Sequence, residues 1–508
     1  MMLAKTNAIS LIGLLGGLVE VEVDIAQGLP AFVLVGLPDT SLSEASSRVK
    51  AACVNSGFEI PARRITVNLS PASIPKYGSG FDLAIATGLL VASGQLKAEL
   101  VADCVFIGEL GLDGSIRKVN GTLAAVLQAK RLGFTKVAVA EQSLLEAGLV
   151  AGIALYSGAN LRELMNNLAV NTTAESPIRE TSAEVSTTDL ADVIGQPEAV
   201  YGLLVAAAGR HNISLVGSAG AGKTMLAERL SGILPDLEIE QAIEVAAIHS
   251  LIGSNQYLKQ DALSLRPSFQ SPHHSASPSS VIGGGMGLPK PGAISLAHHG
   301  VLFLDEVTEY QNHVLQALRE PLEARKIVIA RSAGQAIFPA NFQLVVAANP
   351  CACGNYGSKK KQCECSVLSR QRYLAKLGGP LFDRIDIRLQ VQPVSALIAK
   401  LEQSSDRLTT EQARDKVVQA RLAAKERLQG SRFETNSEIT PAYLRTKLKL
   451  ARNATTQLNR ALEKGIVSMR GFDRCLRLAW TIADLDGKPS PGEEEVLRAM
   501  ALRGGELL

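Results

Sequence analysis

The chain contains 508 residues, of which 46% are hydrophobic and 20% are charged. At about 150 residues per domain this length suggests about three domains, and the composition excludes a disordered or fibrous chain. Lys and Arg number 52 and Asp and Glu number 49, which gives a net charge of +3. This balance predicts neither a nucleic-acid partner nor its absence, because local patches matter more than totals. No run of about eighteen uncharged apolar residues occurs, so we expect no membrane-spanning segment.

The cysteines and the N-terminus bear on the compartment. Four of the seven cysteines fall between residues 351 and 365, which is not the pattern of a secreted disulfide framework. Residues 8–19 are apolar and follow Lys5 as in a signal peptide, but they lack a small-residue cleavage site. They continue into residues 19–23, where apolar and charged residues alternate as in a strand. We therefore expect a cytoplasmic protein.

Three parts of the chain differ in their patterns. Residues 1–170 alternate strand and helix patterns and are predicted to form an α+β domain. Residues 171–191 are rich in Thr, Ser and Glu and are predicted to be a linker. Residues 192–394 return to alternating strands and helices, and residues 395–508 show helical spacing only. In the first domain the predicted strands are 31–36, 65–69 and 137–139, and the predicted helices are 82–91 and 122–131.

A phosphate-binding loop follows the apolar strand predicted at residues 212–216. It has the pattern G-x-x-x-x-G-K-T and consists of Gly217, Ser218, Ala219, Gly220, Ala221, Gly222, Lys223 and Thr224. In a strand–loop–helix setting, glycines let backbone N–H groups turn toward the phosphates of a nucleotide. Lys223 is then expected to reach the β- and γ-phosphates of ATP, and Thr224 to bind Mg²⁺.

Two further strands end in polar residues suited to the same site. Residues 301–304 are wholly apolar and lead into Asp305 and Glu306. Downstream of a phosphate loop, this pattern predicts that Asp305 lies beside Mg²⁺ and that Glu306 polarises the attacking water. Residues 344–348 lead into Asn349, whose amide is placed to hydrogen-bond a γ-phosphate or water. The alternative is a turn-forming Asn before Pro350.

These features, followed by LFDRID and an all-helical tail, resemble an AAA+ ATPase. The segments RPSFQSPHHSASPSSVIGGG, PKPGAISLAHHGVLFLDEV and LVVAANPCACG are similar to the magnesium-chelatase-like family that includes YifB and ComM. The resemblance extends over nearly the whole chain. It implies an α/β fold with an AAA+ core built on a parallel sheet, a C-terminal helical lid and assembly into a homo-hexamer.

The resemblance assigns roles to three residues outside the phosphate loop. Asn349 corresponds to sensor 1. Arg384 corresponds to the arginine finger that acts on the neighbouring subunit's nucleotide, and a surface Arg paired with a nearby Asp is the alternative. Arg470 best matches sensor 2 of the lid, although Arg474 and Arg477 lie on nearly the same helical face.

The first domain resembles a Lon-type protease in residues 75–90 and 108–126. Lon proteases use a Ser nucleophile that a Lys activates. The resemblance places Gly80 at the Ser position and Ala125 at the Lys position, and neither side chain can perform that chemistry. Ser79 is adjacent to the first position but no basic residue stands at the second. We therefore expect a non-proteolytic domain that serves ring assembly or DNA contact.

The four clustered cysteines are two C-x-C pairs, namely Cys351, Cys353, Cys363 and Cys365. Four thiolates on two short loops are able to surround Zn²⁺ as in structural Cys₄ sites, with free thiols as the alternative. Lysines 359–361 between the pairs either touch DNA phosphates or form a solvated tip. The other three cysteines lie in apolar stretches and are predicted to be buried.

DNA-contacting residues are expected in three places, with ordinary solvated charge as the alternative in each. Residues 268–292 are rich in Gly, Pro, Ser and His and are predicted to be a functional loop that faces the ring pore, carrying His273 and His274. A predicted hairpin at 326–340 carries basic residues at 325, 326 and 331. From Arg407 to Arg477 the helical domain has sixteen Lys and Arg against seven Asp and Glu.

The resemblance implies an ATP-driven hexameric motor that acts on single-stranded and branched DNA, a branch-migration helicase of natural transformation. The main alternative is a chelatase-type ATPase subunit that remodels a protein partner. A protease is disfavoured by Gly80 and Ala125. A non-catalytic scaffold is disfavoured by the intact Lys223, Asp305 and Glu306.

Overall fold

The computed structural model describes residues 3–36, 39–76, 78–175, 188–259, 262–285, 288–331, 334–356, 362–376, 379, 381–394 and 407–503. Three features of the sequence analysis lie outside these ranges. They are the middle of the predicted linker, lysines 359–361, and the first residues of the predicted helical domain.

The N-terminal part is built on a mixed seven-stranded sheet in the order β3-β4-β2-β1-β5-β8-β9, with β6 and β7 paired separately as a hairpin. Side chains alternate strictly along β2, where Val19, Val21 and Val23 are fully buried, so the residues between them face the other side of the sheet. The strands are β1 (Leu3–Ile12), β2 (Leu15–Ala26), β3 (Ala31–Val35), β4 (Arg64–Ser70), β5 (Cys104–Ile107), β6 (Glu109–Leu110), β7 (Ile116–Arg117), β8 (Lys136–Val139) and β9 (Ala154–Tyr156).

Helices pack against this sheet to close the first core. They are α1 (Asp39–Asn55), α2 (Asp82–Ala92), α3 (Thr122–Arg131), α4 (Leu144–Ala147) and α5 (Leu161–Ala169). Every residue of α2 is buried, which suits its almost uncharged sequence. The predicted strands and helices of this part are confirmed, with ends that move by at most a residue or two.

The central part contains a five-stranded sheet in the order β13-β16-β19-β10-β20, in which every neighbouring pair is parallel. Strands β16 and β19 are buried along their whole length, as expected for a sheet covered on both faces. The strands of this part are β10 (Ile213–Gly217), β11 (Leu258–Lys259), β12 (Ala262–Leu263), β13 (Phe269–Gln270), β14 (Gly283–Gly284), β15 (Lys290–Pro291), β16 (Val301–Leu304), β17 (Lys326–Arg331), β18 (Gly334–Pro339), β19 (Gln343–Ala348) and β20 (Ile387–Val391).

The helices of the central part are α6 (Pro197–Gly209), α7 (Lys223–Ile233), α8 (Ile239–Ser250), α9 (Pro278–Ile282), α10 (Ala293–Leu296), α11 (Asn312–Ala317), α12 (Arg319–Ala324) and α13 (Val367–Ala375). Residues 268–292, predicted to be a functional loop, contain the short elements β13, α9, β14 and β15. β14 and β15 pair with each other and α9 buries Val281 in the core beneath, so part of the segment is regular, and its functional role stays a prediction.

The described residues 407–503 are helical, as the sequence predicts. The helices are α14 (Thr410–Arg427), α15 (Pro441–Thr446), α16 (Thr456–Glu463), α17 (Met469–Leu485) and α18 (Glu493–Leu502). They share one hydrophobic core with the central sheet and with α6 and α7. Within the described ranges, no helix combines the length and the apolar character that crossing a bilayer requires.

Several basic residues of the helical part serve this packing. Arg421 donates two hydrogen bonds to the carbonyl of Ala207 near the end of α6, and Arg414 does the same to Gly232 in the last turn of α7. These arginines bond carbonyls at the helix C-termini, which have no hydrogen-bond donor within the helix. Part of the basic excess therefore holds the lid to the core and is not available to DNA.

The N-terminal and central parts are in direct contact. The turn between β1 and β2 lies on the β17–β18 hairpin, where a Cβ added to Gly13 would stand 3.2 Å from the Cβ of Ala336. Gly13 has φ of +67°, a conformation that glycine adopts without strain. The hairpin predicted at 326–340 is thus packed on the first domain along part of one side.

Candidate functional site

The phosphate loop leaves the carboxyl end of β10 and runs into the first turn of α7. Gly217 has no room for a side chain, because an added Cβ would lie 2.3 Å from the carbonyl oxygen of Val391 on β20. Gly220 and Gly222 have φ of +75° and +89°, a backbone region that favours glycine. The loop conformation therefore depends on glycine for two different reasons, close strand packing and left-handed backbone.

Lys223 is held at the centre of the loop. Its Nζ donates to the carbonyls of Gly217 at 2.8 Å and Ser218 at 3.1 Å, and to Asn349 Oδ1 at 3.0 Å. An ammonium group has three donors, so all of them are used. Burial lowers the pKa of Lys223, and the charges of Asp305 and Glu306 oppose that shift.

Asp305 and Thr224 come together as the pattern predicts. Thr224 Oγ1 donates to Asp305 Oδ2 at 2.9 Å, and the other carboxylate oxygen accepts from the backbone N–H of Glu306 at 2.8 Å. A hydroxyl and a carboxylate are the oxygen ligands that Mg²⁺ takes alongside nucleotide phosphates. The donor set therefore fits Mg²⁺.

Glu306 is engaged by a residue that the sequence analysis assigned elsewhere. Its Oε2 lies 3.2 Å from Nδ1 of His274, in the segment after β13, and its backbone has φ of +48°. We expected His274 to face a pore; its ring nitrogen lies against the Glu306 carboxylate, and the pore-facing role stays a prediction. A carboxylate held by a neighbouring side chain is less able to take a proton from water.

We expect His274→Ala to raise ATP turnover in the absence of any other partner by about two- to fivefold, because a half-exposed polar contact of this kind is worth about 0.5–1 kcal/mol. Steady-state phosphate release measures the effect. His273→Ala is the matched control, since the neighbouring ring bonds Ser275 through Nδ1 at 2.7 Å. A fall in turnover for His274→Ala would show that His274 assists the reaction and does not restrain it.

Arg384 lies in a short 3₁₀ turn (Phe382–Arg384) just before β20. Its guanidinium is hydrogen-bonded to the Glu323 carboxylate on α12, and its backbone carbonyl accepts from Asn212. The alternative considered from sequence, pairing with Asp383 or Asp386, is not what is seen: Asp386 is bonded to His211 and Arg474. The ion pair with Glu323 must break before Arg384 can contact a nucleotide.

The three candidate sensor 2 arginines have different surroundings. Arg470 is 79% exposed, and its Nη1 lies 3.6 Å from Asp383, next to Arg384 in the chain. Arg474 is bound to Asp386 at 2.6 Å, and burial lowers the pKa of Arg477. The structure thus places Arg470 beside the segment that carries Arg384, which makes the two arginines neighbours on one surface.

A cavity beside the phosphate loop was missed by the sequence analysis. It measures about 350 Å³ and is lined by apolar residues including Val193 and Leu204, with Gln196 at one side. Gln196 Nε2 donates to the carbonyl of Ala221 at 2.8 Å, so the cavity adjoins the loop. The available signal was the Gly-Gln-Pro sequence before α6, because Pro at the first helical position marks a defined helix start.

The cysteine pairs converge. All four Sγ atoms of Cys351, Cys353, Cys363 and Cys365 lie within 4.8 Å of one another, and all seven cysteines are free of disulfides. The three remaining cysteines are buried in the cores as predicted. Burial raises the pKa of the Cys53 thiol to about 12, which keeps it protonated and unreactive.

The protease-like positions share a second cavity. Gly80 and Ala125 both line a space of about 500 Å³ that residues 288–291 of the central part help to enclose. Ser79 lines it too and donates a hydrogen bond to the Glu109 carboxylate. A Ser–carboxylate pair without the Lys is not the Lon dyad.

Of the basic residues on the predicted hairpin, Arg325 is already paired, at 2.9 Å, with the nearly buried Glu438 of the helical part. A more open cluster lies in residues 445–470, which hold seven Lys and Arg and one acidic residue. All seven are exposed, and Arg445 and Arg470 are paired with Asp473 and Asp383. We call the other five the lid patch, namely Lys447, Lys449, Arg452, Arg460 and Lys464.

Known proteins resemble this chain over nearly its whole length. Profiles described as "Magnesium chelatase, subunit ChlI", "Subunit ChlI of Mg-chelatase" and "Magnesium chelatase, subunit ChlI C-terminal" match residues 189–398, 21–143 and 407–503. The chain is 45% identical over 506 residues to the protein Rv2897c of Mycobacterium tuberculosis, covering 99% of each chain.

Two further relatives carry informative names. The chain is 39% identical over 488 residues to YifB of Escherichia coli, covering 96% of this chain and 94% of YifB. It is 39% identical over 511 residues to the competence protein ComM of Haemophilus influenzae, covering 99% and 98%. With the resemblance read from the sequence confirmed in this way, the chain belongs to the magnesium-chelatase-like family of AAA+ ATPases that includes YifB and ComM.

Proposed function

We propose that this chain hydrolyses ATP at the edge of the central sheet where β10, β16 and β19 end. Lys223 would bind the β- and γ-phosphates, and Thr224 and Asp305 would hold Mg²⁺, which would offset charge on the phosphates. Glu306 would orient and polarise water, and Asn349 would report the state of the γ-phosphate. The observation that carries this proposal is the contact of Lys223 with Asn349 and of Thr224 with Asp305.

We further propose that the chain works as a cytoplasmic homo-hexamer in which Arg384 acts on the nucleotide of a neighbouring subunit. Arg384 and Arg470 lie close together near the Asp383 segment, as expected if one subunit surface meets the next subunit's nucleotide. The apolar cavity beside Gln196 would take the adenine ring, since its walls suit a flat apolar base.

The substrate that we propose is single-stranded and branched DNA, with ATP hydrolysis driving branch migration. Support comes from the near full-length similarity to a competence protein and from the lid patch. Closely spaced Lys and Arg bind phosphates without regard to sequence, which suits a motor that moves along a strand. We assign no proteolytic role to the first domain, since Gly80 and Ala125 face its cavity.

A second candidate is a chelatase-type ATPase subunit that remodels a protein partner. It is favoured by the three family profiles, all described by a magnesium chelatase subunit. The near full-length similarity to a competence protein favours the DNA motor over this candidate.

We also propose that Cys351, Cys353, Cys363 and Cys365 bind a structural Zn²⁺. Zn–S bonds of about 2.3 Å in a tetrahedron separate the sulfurs by about 3.8 Å. The sulfur of Cys351 lies 3.4 Å from Cys353 and 3.7 Å from Cys363, and the Cys353–Cys363 separation is 3.6 Å. These separations fit a shared metal ion with little rearrangement.

Turnover measured with and without DNA tests the motor proposal. We expect single-stranded and three-strand branched DNA to raise ATP turnover severalfold, and labelled strand to be displaced only when ATP is hydrolysed. Replacing Lys447, Lys449 and Arg452 by Ala should weaken DNA binding and flatten the dependence of log K on log salt by up to about 2, because each lost phosphate contact removes about 0.7 for single strands.

The matched control replaces Arg63, Arg64 and Lys97, three exposed basic residues of the first domain, with the same loss of charge. DNA binding should then change little. Turnover that ignored all DNA forms, with no strand displaced, would contradict the DNA motor and leave the protein-remodelling candidate in its place.

A further inference from the structure

The first cysteine pair lies against the nucleotide site. Cys351 is fully buried two residues after Asn349, the residue that accepts a hydrogen bond from Lys223. The turn that follows brings Gly354 to the phosphate loop, where an added Cβ would lie 3.8 Å from the Cβ of Ala219 and 3.9 Å from Cγ of Asn349. The turn that carries the first pair therefore runs from the end of β19 to the phosphate loop.

The second cysteine pair leads to the other half of the site. Cys365 is followed by Ser366, which accepts backbone hydrogen bonds from the first turn of α13 through its side chain and its carbonyl. Near the end of α13, the buried Tyr373 hydroxyl accepts from Thr308 Oγ1 at 2.7 Å. Lys376 Nζ donates to the carbonyl of the same Thr308 at 3.2 Å.

Thr308 belongs to the turn that carries Glu306. This 3₁₀ turn (Val307–Glu309) begins directly after Glu306, and the backbone N–H of Glu309 donates to the Glu306 carbonyl at 2.8 Å. Hydrogen bonds with Tyr373 of α13 and with Lys376 just after it thus fix the turn that presents the carboxylate. The cysteine cluster joins two segments of the site. Its first pair follows β19 and Asn349, which we call the Asn349 arm, and its second pair precedes α13, which leads to the turn after Glu306 and which we call the Glu306 arm.

We propose that the metal bound by the four cysteines ties these two arms together, so that the rate of ATP hydrolysis depends on the metal. Zn²⁺ would crosslink Cys351 and Cys353 to Cys363 and Cys365, and so hold Asn349 and Glu306 in register with the phosphate loop. Tyr373 is then a positioning residue that transmits the constraint to Thr308. The inference rests on the proposed ATPase function and the proposed zinc site, and it adds that one controls the other.

The expected effect falls on the rate and not on nucleotide binding. Lys223 and Thr224 are carried by the loop and by α7, so their positions do not depend on α13. A shift of about 1 Å in groups that orient water costs up to about 100-fold in rate, and disturbing residues that support a metal site commonly costs about 10–100-fold. We therefore expect kcat to fall at least tenfold on metal loss, while the Kd for ATP changes less than threefold.

Cys363→Ser and Tyr373→Phe in the full chain test the proposal. Zinc content by elemental analysis, kcat and KM for ATP, and Kd for a fluorescent ATP analogue are measured on each purified protein. The parent should hold one Zn²⁺ per chain. Cys363→Ser should lose it with the tenfold fall in kcat. Tyr373→Phe should keep the zinc and lose severalfold in kcat, because the hydroxyl that meets Thr308 and the backbone of Asn349 is removed.

The outcomes separate the claims. A Cys363→Ser protein that lost zinc but kept kcat would overturn the tie, and so would an unchanged kcat in Tyr373→Phe, a variant that keeps all four thiols. A parent free of zinc would overturn the metal site itself. A parent that bound zinc and nucleotide but never hydrolysed ATP would refute the proposed function, which is a different result from either of these.

Discussion

Replacing Arg384 by Ala is expected to lower ATP turnover by about 10³–10⁵, the usual worth of an arginine that stabilises the charge developing on a transferred γ-phosphoryl group. ATP binding should persist, because Lys223 and Thr224 of the same chain remain in place. Phosphate release and the Kd for a fluorescent ATP analogue measure the two effects separately. In the structure Arg384 is bonded to Glu323, so the finger role also requires this ion pair to open on assembly.

Mixing variants tests whether Arg384 acts on the next subunit. A chain with Arg384→Ala has an intact phosphate loop, and a chain with Lys223→Ala has an intact Arg384. If the arginine acts between subunits, mixed assemblies of the two inactive proteins should recover part of the turnover. No recovery in assemblies shown to contain both chains would assign Arg384 to its own subunit. Glu323→Gln is a useful companion, since it removes the charge that pairs with Arg384 and keeps Arg384 itself.

Replacing Glu306 by Gln is expected to lower turnover by about 10²–10⁴, the range for loss of a positioned general base. Nucleotide binding should be retained, because Gln keeps the shape of Glu306 and leaves Thr224 and Asp305 in contact. Lys223→Ala should instead lose binding, since the ammonium that meets the phosphates is gone. Single-turnover kinetics with radiolabelled ATP, together with equilibrium binding, distinguish the two variants.

Each of these two variants serves as a folding control for the other. Both changes lie in one site, but we expect nucleotide binding to be kept in Glu306→Gln and lost in Lys223→Ala. Equal turnover in Glu306→Gln, Lys223→Ala and the parent protein would refute the assignment of the site. Loss of binding in both would mean that Glu306 supports the loop and has no separate part in hydrolysis.

Much of the site could be predicted from sequence because its parts are local patterns. Glycines at 217, 220 and 222, followed by Lys223 and Thr224, specify a loop whose backbone and contacts lie within a few residues. Apolar strands that end in Asp305 and Asn349 point to one edge, since the carboxyl ends of parallel strands meet there. These residues come together in the structure. The domain boundaries and the roles of the site residues stay predictions.

The partners of the remaining charged groups could not be predicted in the same way. His274 meets Glu306 and Arg384 meets Glu323, each across a large sequence separation. The basic excess of the helical part is divided between buried arginines, such as Arg421, and the exposed lid patch. A count of charges from the sequence cannot distinguish the buried arginines from the exposed ones, because burial depends on how the helices pack on one another.

Hydrophobic periodicity and short motifs encode the α/β class, the phosphate loop, the two polar strand ends and the four thiols, so these could be predicted from the sequence alone. Tertiary packing is what brings Gly354, beside the first cysteine pair, to Ala219 and joins Tyr373 to Thr308. The same holds for the pairing of Arg325 with Glu438 and the packing of Gly13 on the hairpin. The physical reason is that such contacts join residues distant in the chain, and close packing of whole elements, not local preference, selects them.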